Sequence, residues 1–168
     1  MLLITRDLSF LVLYVANSRR RLIMNRFMSE AIKEARLGIS NQHGGPFGCV
    51  ITKNGFIVGR GHNTVLRDHD CTRHGEINAI ADACRNLSTH DLSGCELYTT
   101  SAPCPMCSGA IQWANISKVY TACSIKDAER IGFRDKQFFE NPAVIEELDH
   151  EEGIKLFNEY SKLDHTLY

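Results

Sequence analysis

GGPFGCVITKNGFIVGRGHN, residues 44–63, is the stretch that sets the architecture. Gly44-Gly45-Pro46 marks a loop. Phe47–Thr52 and Gly55–Gly61 are short, apolar, β-branched runs that read as two strands. Lys53-Asn54-Gly55 lies between them, and Asn-Gly is a strong hairpin signal. An antiparallel hairpin is therefore the first expectation.

Working outward, Phe27, Met28, Ala31, Ile32, Ala35 and Ile39 recur at helical spacing within Met24–Ile39, a stripe suited to packing on a sheet. A polar loop follows the hairpin from Asn63 to Arg73. His74–Leu87 reads as a second helix with Ile77, Ile80, Ala81 and Cys84 on one face. Glu96–Thr100 is a strand, Pro103-Cys104-Pro105 opens a helix running to Ala114, and Lys118–Cys123 is a further strand. Lys126–Arg130, Ala143–Leu148 and Gly153–Leu163 are expected as helices with charged outer faces. This order predicts one α/β domain over residues 24–168, with helices on both faces of a mixed sheet.

The 168 residues are 43% hydrophobic and 23% charged, with 4 Pro and 12 Gly, which excludes collagen-like, low-complexity and disordered chains. A formal net charge of -1 supplies no global basic field to draw in a phosphate backbone. The seven cysteines are odd in number, and only Cys104 and Cys107 are closely spaced. A disulfide framework would be even-numbered and shorter, so a reducing, cytoplasmic compartment is expected. Residues 8–16 (LSFLVLYVA) are too few to span a bilayer, which takes about 20 helical residues. Arg19–Arg21 follow that run rather than precede it, unlike a signal peptide. Residues 1–23 are therefore expected to be an extension outside the domain, compatible with an upstream start codon.

Two segments carry chemistry: His74-Gly75-Glu76 and Pro103-Cys104-Pro105-Met106-Cys107. Cys-x-x-Cys at a helix start presents two sulfurs to one point, and one His completes a three-ligand zinc site with an open position. Both segments fall at predicted helix N-termini, which favour thiolates. Glu76 is placed to reach a water at the open position without binding the metal. Cys-x-x-Cys alone also suits a redox pair, and Cys71, Cys95 or Cys123 could complete a closed structural site. Only an open zinc site explains Glu76 and the proline before Cys104. H-x-E with P-C-x-x-C is the pattern of zinc deaminases acting on nucleobases, in which the Glu shuttles protons.

On these residues the chain resembles the cytidine-deaminase-like zinc hydrolase superfamily, and within it the small bacterial guanine deaminases. The resemblance runs from about Met24 to Tyr168. It includes Gly44–Gly48, Gly61-His62-Asn63, both zinc segments, Gly109–Ala114, Ile131–Asp135 and the ending Asp164–Tyr168. It implies a three-layer α/β/α fold around a five-stranded mixed sheet. It also implies a homodimer that can exchange C-terminal segments. One zinc per subunit would be held by His74, Cys104 and Cys107, with Glu76 as catalytic proton shuttle. Asn63 would hydrogen-bond the base, Phe47 and Trp113 would shape an apolar slot, Asp135 would accept from purine N–H groups, and Tyr168 would cap the pocket. Two positions depart from the family pattern. Ala102 stands where a Glu is common before the motif proline, which loosens the substrate assignment, and Gly75 replaces the usual Ala.

The expected activity is hydrolysis of a free purine base, guanine giving xanthine and ammonia. A tRNA wobble adenosine deaminase is the alternative, together with guanosine or cytosine as substrates. The near-neutral charge and the acid-rich segment 141–160 argue against nucleic acid, and nothing calls for a membrane.

Overall fold

Asn54 and Gly55 take positive φ, 52° and 80°, the left-handed backbone that a type I′ hairpin turn requires. They join β1 (Gly48–Lys53) to β2 (Phe56–His62), which pair antiparallel from Gly48 opposite His62 to Lys53 opposite Phe56. The computed structural model describes residues 25–140 and Ile154. Before the hairpin, α1 (Arg26–Ser40) begins where the Asn25 side chain accepts from the N–H groups of Phe27 and Met28, satisfying donors that the first turn cannot.

After the hairpin come α2 (Val65–Asp68), α3 (Gly75–Leu87), β3 (Cys95–Ser101), α4 (Pro105–Trp113), β4 (Lys118–Cys123), α5 (Ile125–Arg130) and α6 (Asp135–Glu140). Ser124 and Asp127 form a reciprocal capping box at the start of α5. The strand order is β2-β1-β3-β4; β1 pairs antiparallel with both neighbours, and β3 with β4 is parallel, the crossover being α4. The sheet is mixed, as expected.

Alternation along the strands sorts the core into two faces. Val50 and Tyr98 pack with Ala31, Phe27 and Met28 of α1 on one side. Cys49, Ile51 and Leu97 pack with Ala79 and Ala83 of α3 and Ile111 of α4 on the other. The result is an α/β/α sandwich. Ile51, Leu92 and Leu97 are fully buried, each a contribution of about 1.5–3 kcal/mol.

Four strands are present among the described residues, not the five that the resemblance implies. Two short helices, α2 within the polar loop and α6 after it, were not foreseen. The expected helices at 143–148 and 153–163, the extension 1–23 and Tyr168 lie outside the described residues, Ile154 apart. Among the described residues no helix is long and apolar enough to cross a membrane. All seven cysteines are free thiols, so no disulfide framework exists.

Candidate active site

β3 delivers the chain directly into the Cys104 turn, while α3 begins at His74 beside the start of β1, at the same end of the sheet. Cys104 and His74 are the N-cap residues of α4 and α3, both with extended backbone, and Pro105 occupies the first turn of α4, where its missing N–H costs nothing. The caps point both ligand side chains toward one place. His74 Nδ1 is 3.6 Å from Cys104 Sγ and 3.6 Å from Cys107 Sγ. The three donor atoms lie within 4.8 Å of one another, and no other group of His, Cys, Asp or Glu among the described residues clusters this way. Cys71, Cys95 and Cys123 therefore do not complete a closed site.

The donor set fits zinc. Tetrahedral bonds of about 2.3 Å to sulfur and about 2.0–2.1 Å to nitrogen put a sulfur and a nitrogen about 3.6 Å apart, the separation found on both edges. The thiols are electrostatically prepared as well. Hydrogen bonding from Cys107, then from His74, lowers the Cys104 pKa to about 4. The same bond from the other side, together with burial and the nearby Glu76, raises that of Cys107. The proton is thus shared unequally within the pair. The contact with Cys104 raises the His74 pKa despite burial.

Glu76, in the first turn of α3, is 5% exposed. Its Oε1 accepts from the Thr99 hydroxyl at 2.8 Å, and its Oε2 accepts from Cys107 at 3.5 Å. Burial pushes its pKa up, against hydrogen bonds from its own backbone N–H, from Thr99 and from Cys107. It stands beside the metal group without belonging to it.

These groups open into a cavity of about 570 Å³. Of the residues expected to hold a base, Phe47, Asn63 and Asp135 line it with His74, Glu76 and Cys104. Asn63 is buried, and its Oδ1 accepts from the Val65 N–H at 3.2 Å. This commits the amide oxygen to the backbone and leaves the NH2 group to donate. Asp135 starts α6 and is half-buried; desolvation, followed by the charge of Cys104, raises its pKa. Tyr168 is outside the described residues.

Trp113 is not brought to this cavity. It ends α4, six residues beyond Cys107 and so about 9 Å along the helix axis from that ligand, and it is 70% exposed. It lines a separate recess with Gly109, Gln112 and Asn115. Its expected place is taken by Phe133, whose ring meets that of Phe47 edge-on with centroids 4.6 Å apart. Phe133 lies inside the Ile131–Asp135 segment, so a signal for it was present. Thr99 and Ser101 were also missed; nothing in local spacing singles out a strand hydroxyl.

A family model, the cytidine and deoxycytidylate deaminase zinc-binding region, matches residues 23–123. The chain is 44% identical over 109 residues to a guanine deaminase of Bacillus subtilis, covering 65% of this chain and 70% of that protein. It is 43% identical over 93 residues to a tRNA-specific adenosine deaminase of Aquifex aeolicus, covering 55% and 61% respectively. The crystal structure of guanine deaminase from Bacillus subtilis superposes with a TM-score of 0.80 at 34% identity, over 86% of this chain and 99% of that one.

Proposed function

The chain belongs to the cytidine and deoxycytidylate deaminase zinc-binding family, and from that premise we propose that it hydrolyses guanine to xanthine and ammonia. As a member of that family it is a zinc-dependent hydrolytic deaminase; the base is what is proposed. One observation carries the choice. The cavity over the His74, Cys104 and Cys107 group is also lined by a carboxylate, Asp135, and an amide, Asn63. An ionised carboxylate can only accept hydrogen bonds, and a free purine such as guanine offers ring N–H donors. The likeness to guanine deaminase also extends over more of the chain than that to the tRNA enzyme.

His74, Cys104 and Cys107 would hold the metal. Zinc bound there supplies a water with its pKa lowered toward ~7. Phe47 and Phe133 provide apolar wall for the flat ring system, and Asn63 and Asp135 fix its edge. Glu76 takes the proton from the attacking water. It then delivers that proton to the ring nitrogen beside the amino-bearing carbon, and later moves one to the departing ammonia. Thr99 holds Oε1 throughout, leaving Oε2 for transfer. Guanine and water are consumed, and xanthine and ammonia are formed.

A homodimer with exchanged C-terminal segments, Tyr168 capping the pocket, and a cytoplasmic location complete the reading. Sedimentation of the full chain tests the assembly; a monomer rejects it.

The activity test is ammonia release by the zinc-loaded protein from guanine, guanosine, adenine, adenosine, cytosine, cytidine and a tRNA anticodon stem-loop. Release from guanine alone is expected. Release from the stem-loop alone would instead make the chain a wobble adenosine deaminase.

A further inference from the structure

Three consecutive hydroxyl residues end β3, and two of them are committed. Thr99 donates to Glu76 at 2.8 Å. Thr100 accepts from the Gly48 N–H at 3.0 Å and donates to the Pro46 carbonyl at 3.2 Å, tying β3 to the loop that roofs the cavity. Ser101 is different. It is 6% exposed, and its hydroxyl oxygen is the buried side-chain polar atom left without a hydrogen-bond partner among the described residues. It lines the base cavity beside Ala102 and Cys104.

A buried hydroxyl with no partner costs folding free energy that an alanine would not. Such a group calls for an explanation, and broken local rules are expected at functional sites. The chemistry around Ser101 says what kind of ligand atom it meets. Asp135, when ionised, can read only donors, and Ala102 presents no polar side chain to the same wall. A purine base also carries acceptors, its ring nitrogens and its carbonyl oxygen, which need a donor once water is excluded. A serine hydroxyl gives one.

We propose that Ser101 is a base-reading residue, its buried hydroxyl turning about χ1 into the cavity to donate its hydrogen to a ring-nitrogen or carbonyl acceptor of the bound purine; this rests on the guanine reading above. The cavity then reads donors with Asp135 and acceptors with Ser101 and Asn63. Recognition of the base would run along the wall of β3 as well as along the loops.

The experiment is Ser101→Ala in the zinc-loaded full chain, with kcat/KM, zinc content and Tm measured together. Loss of one neutral hydrogen bond to substrate predicts about a tenfold fall in kcat/KM. Zinc content should be unchanged, and Tm unchanged or higher. In a Glu76→Gln background, guanine should bind about tenfold more weakly by calorimetry when Ser101 is Ala. Unchanged kcat/KM and unchanged binding overturn the proposal. So does a Tm that falls with activity, since Ser101 would then be holding the fold. If the wild type ignores guanine but deaminates another member of the panel, the guanine reading fails by itself. Ser101 is then judged on that substrate by the same fall in kcat/KM.

Discussion

The Thr99 hydroxyl, on β3, donates to Oε1 of Glu76 across the sheet-to-helix boundary at 2.8 Å, with both residues buried. The other oxygen faces Cys107, whose sulfur no longer donates once it binds a metal as thiolate. Thr99 is then the side-chain donor that fixes the carboxylate, beside the Glu76 backbone N–H. Thr99→Val keeps the shape and removes that hydrogen bond. A hydrogen bond to a charged group is worth about 1.5–3 kcal/mol, so kcat should fall about 10- to 100-fold. KM and zinc content should stay near wild type. Thr99→Ser should recover most of the rate. A Ser variant as slow as the Val variant would mean that packing, not the hydroxyl, is what matters.

Glu76→Gln removes the proton carrier and keeps the size. General acid–base catalysis contributes roughly 10²–10⁴-fold, and the rate of ammonia release should fall by that much. Metal analysis should still find one zinc per chain, because Glu76 lies outside the donor group of His74, Cys104 and Cys107. A fully active Gln variant would remove Glu76 from the mechanism.

What could be read from sequence was local. Asn54-Gly55 announced its own turn through backbone preference, and the spacing of Cys104 and Cys107 announced a shared point. The two caps, His74 and Cys104, needed only helix starts to be placed. Contacts between distant segments were another matter. α2 is held by the His43 carbonyl, which accepts from Leu66 and Arg67, a bond that no periodicity predicts for so short a helix. Trp113 was assigned by its motif, but motif membership does not say how far down α4 a side chain sits. Phe133 replaces it because the chain returns through α5 to place that ring on Phe47. Ser101 and Thr99 stand two residues apart in β3 with opposite fates, and only the packed structure separates them.

Metal removal should report on stability through His74. A ligand present at about 1,000 times its Kd stabilises the fold by about 4 kcal/mol, which for a chain of this size is a Tm change on the order of 10 °C. Chelation of the wild type should lower Tm by that order and abolish ammonia release. His74→Ala should purify with little zinc and show no further Tm change with chelator. Full zinc occupancy in that variant would mean that the sulfurs find another partner.

Gly44 gives a way to move Asn63 without touching it. A Cβ built on Gly44 would collide with the side-chain oxygen Oδ1 of Asn63, and would meet both its Cγ and its backbone carbonyl oxygen at 3.0 Å. Asn63 is 4% exposed and its oxygen is bound to the Val65 N–H, so the amide cannot swing into solvent. Gly44→Ala should therefore displace the Asn63 amide that meets the base, while His74, Cys104 and Cys107, which are not among the nearest neighbours of the added methyl, keep their places. KM for guanine should rise about tenfold, the scale of one lost hydrogen bond, with zinc content unchanged and kcat affected less. Asn63→Ala should raise KM similarly. If the two act through the same contact, Gly44→Ala should cost clearly less in the Asn63→Ala background than alone, because the colliding side-chain amide is gone and only the tight approach to the residue-63 backbone carbonyl remains. Additive losses would show that Gly44 shapes the cavity by some route other than Asn63.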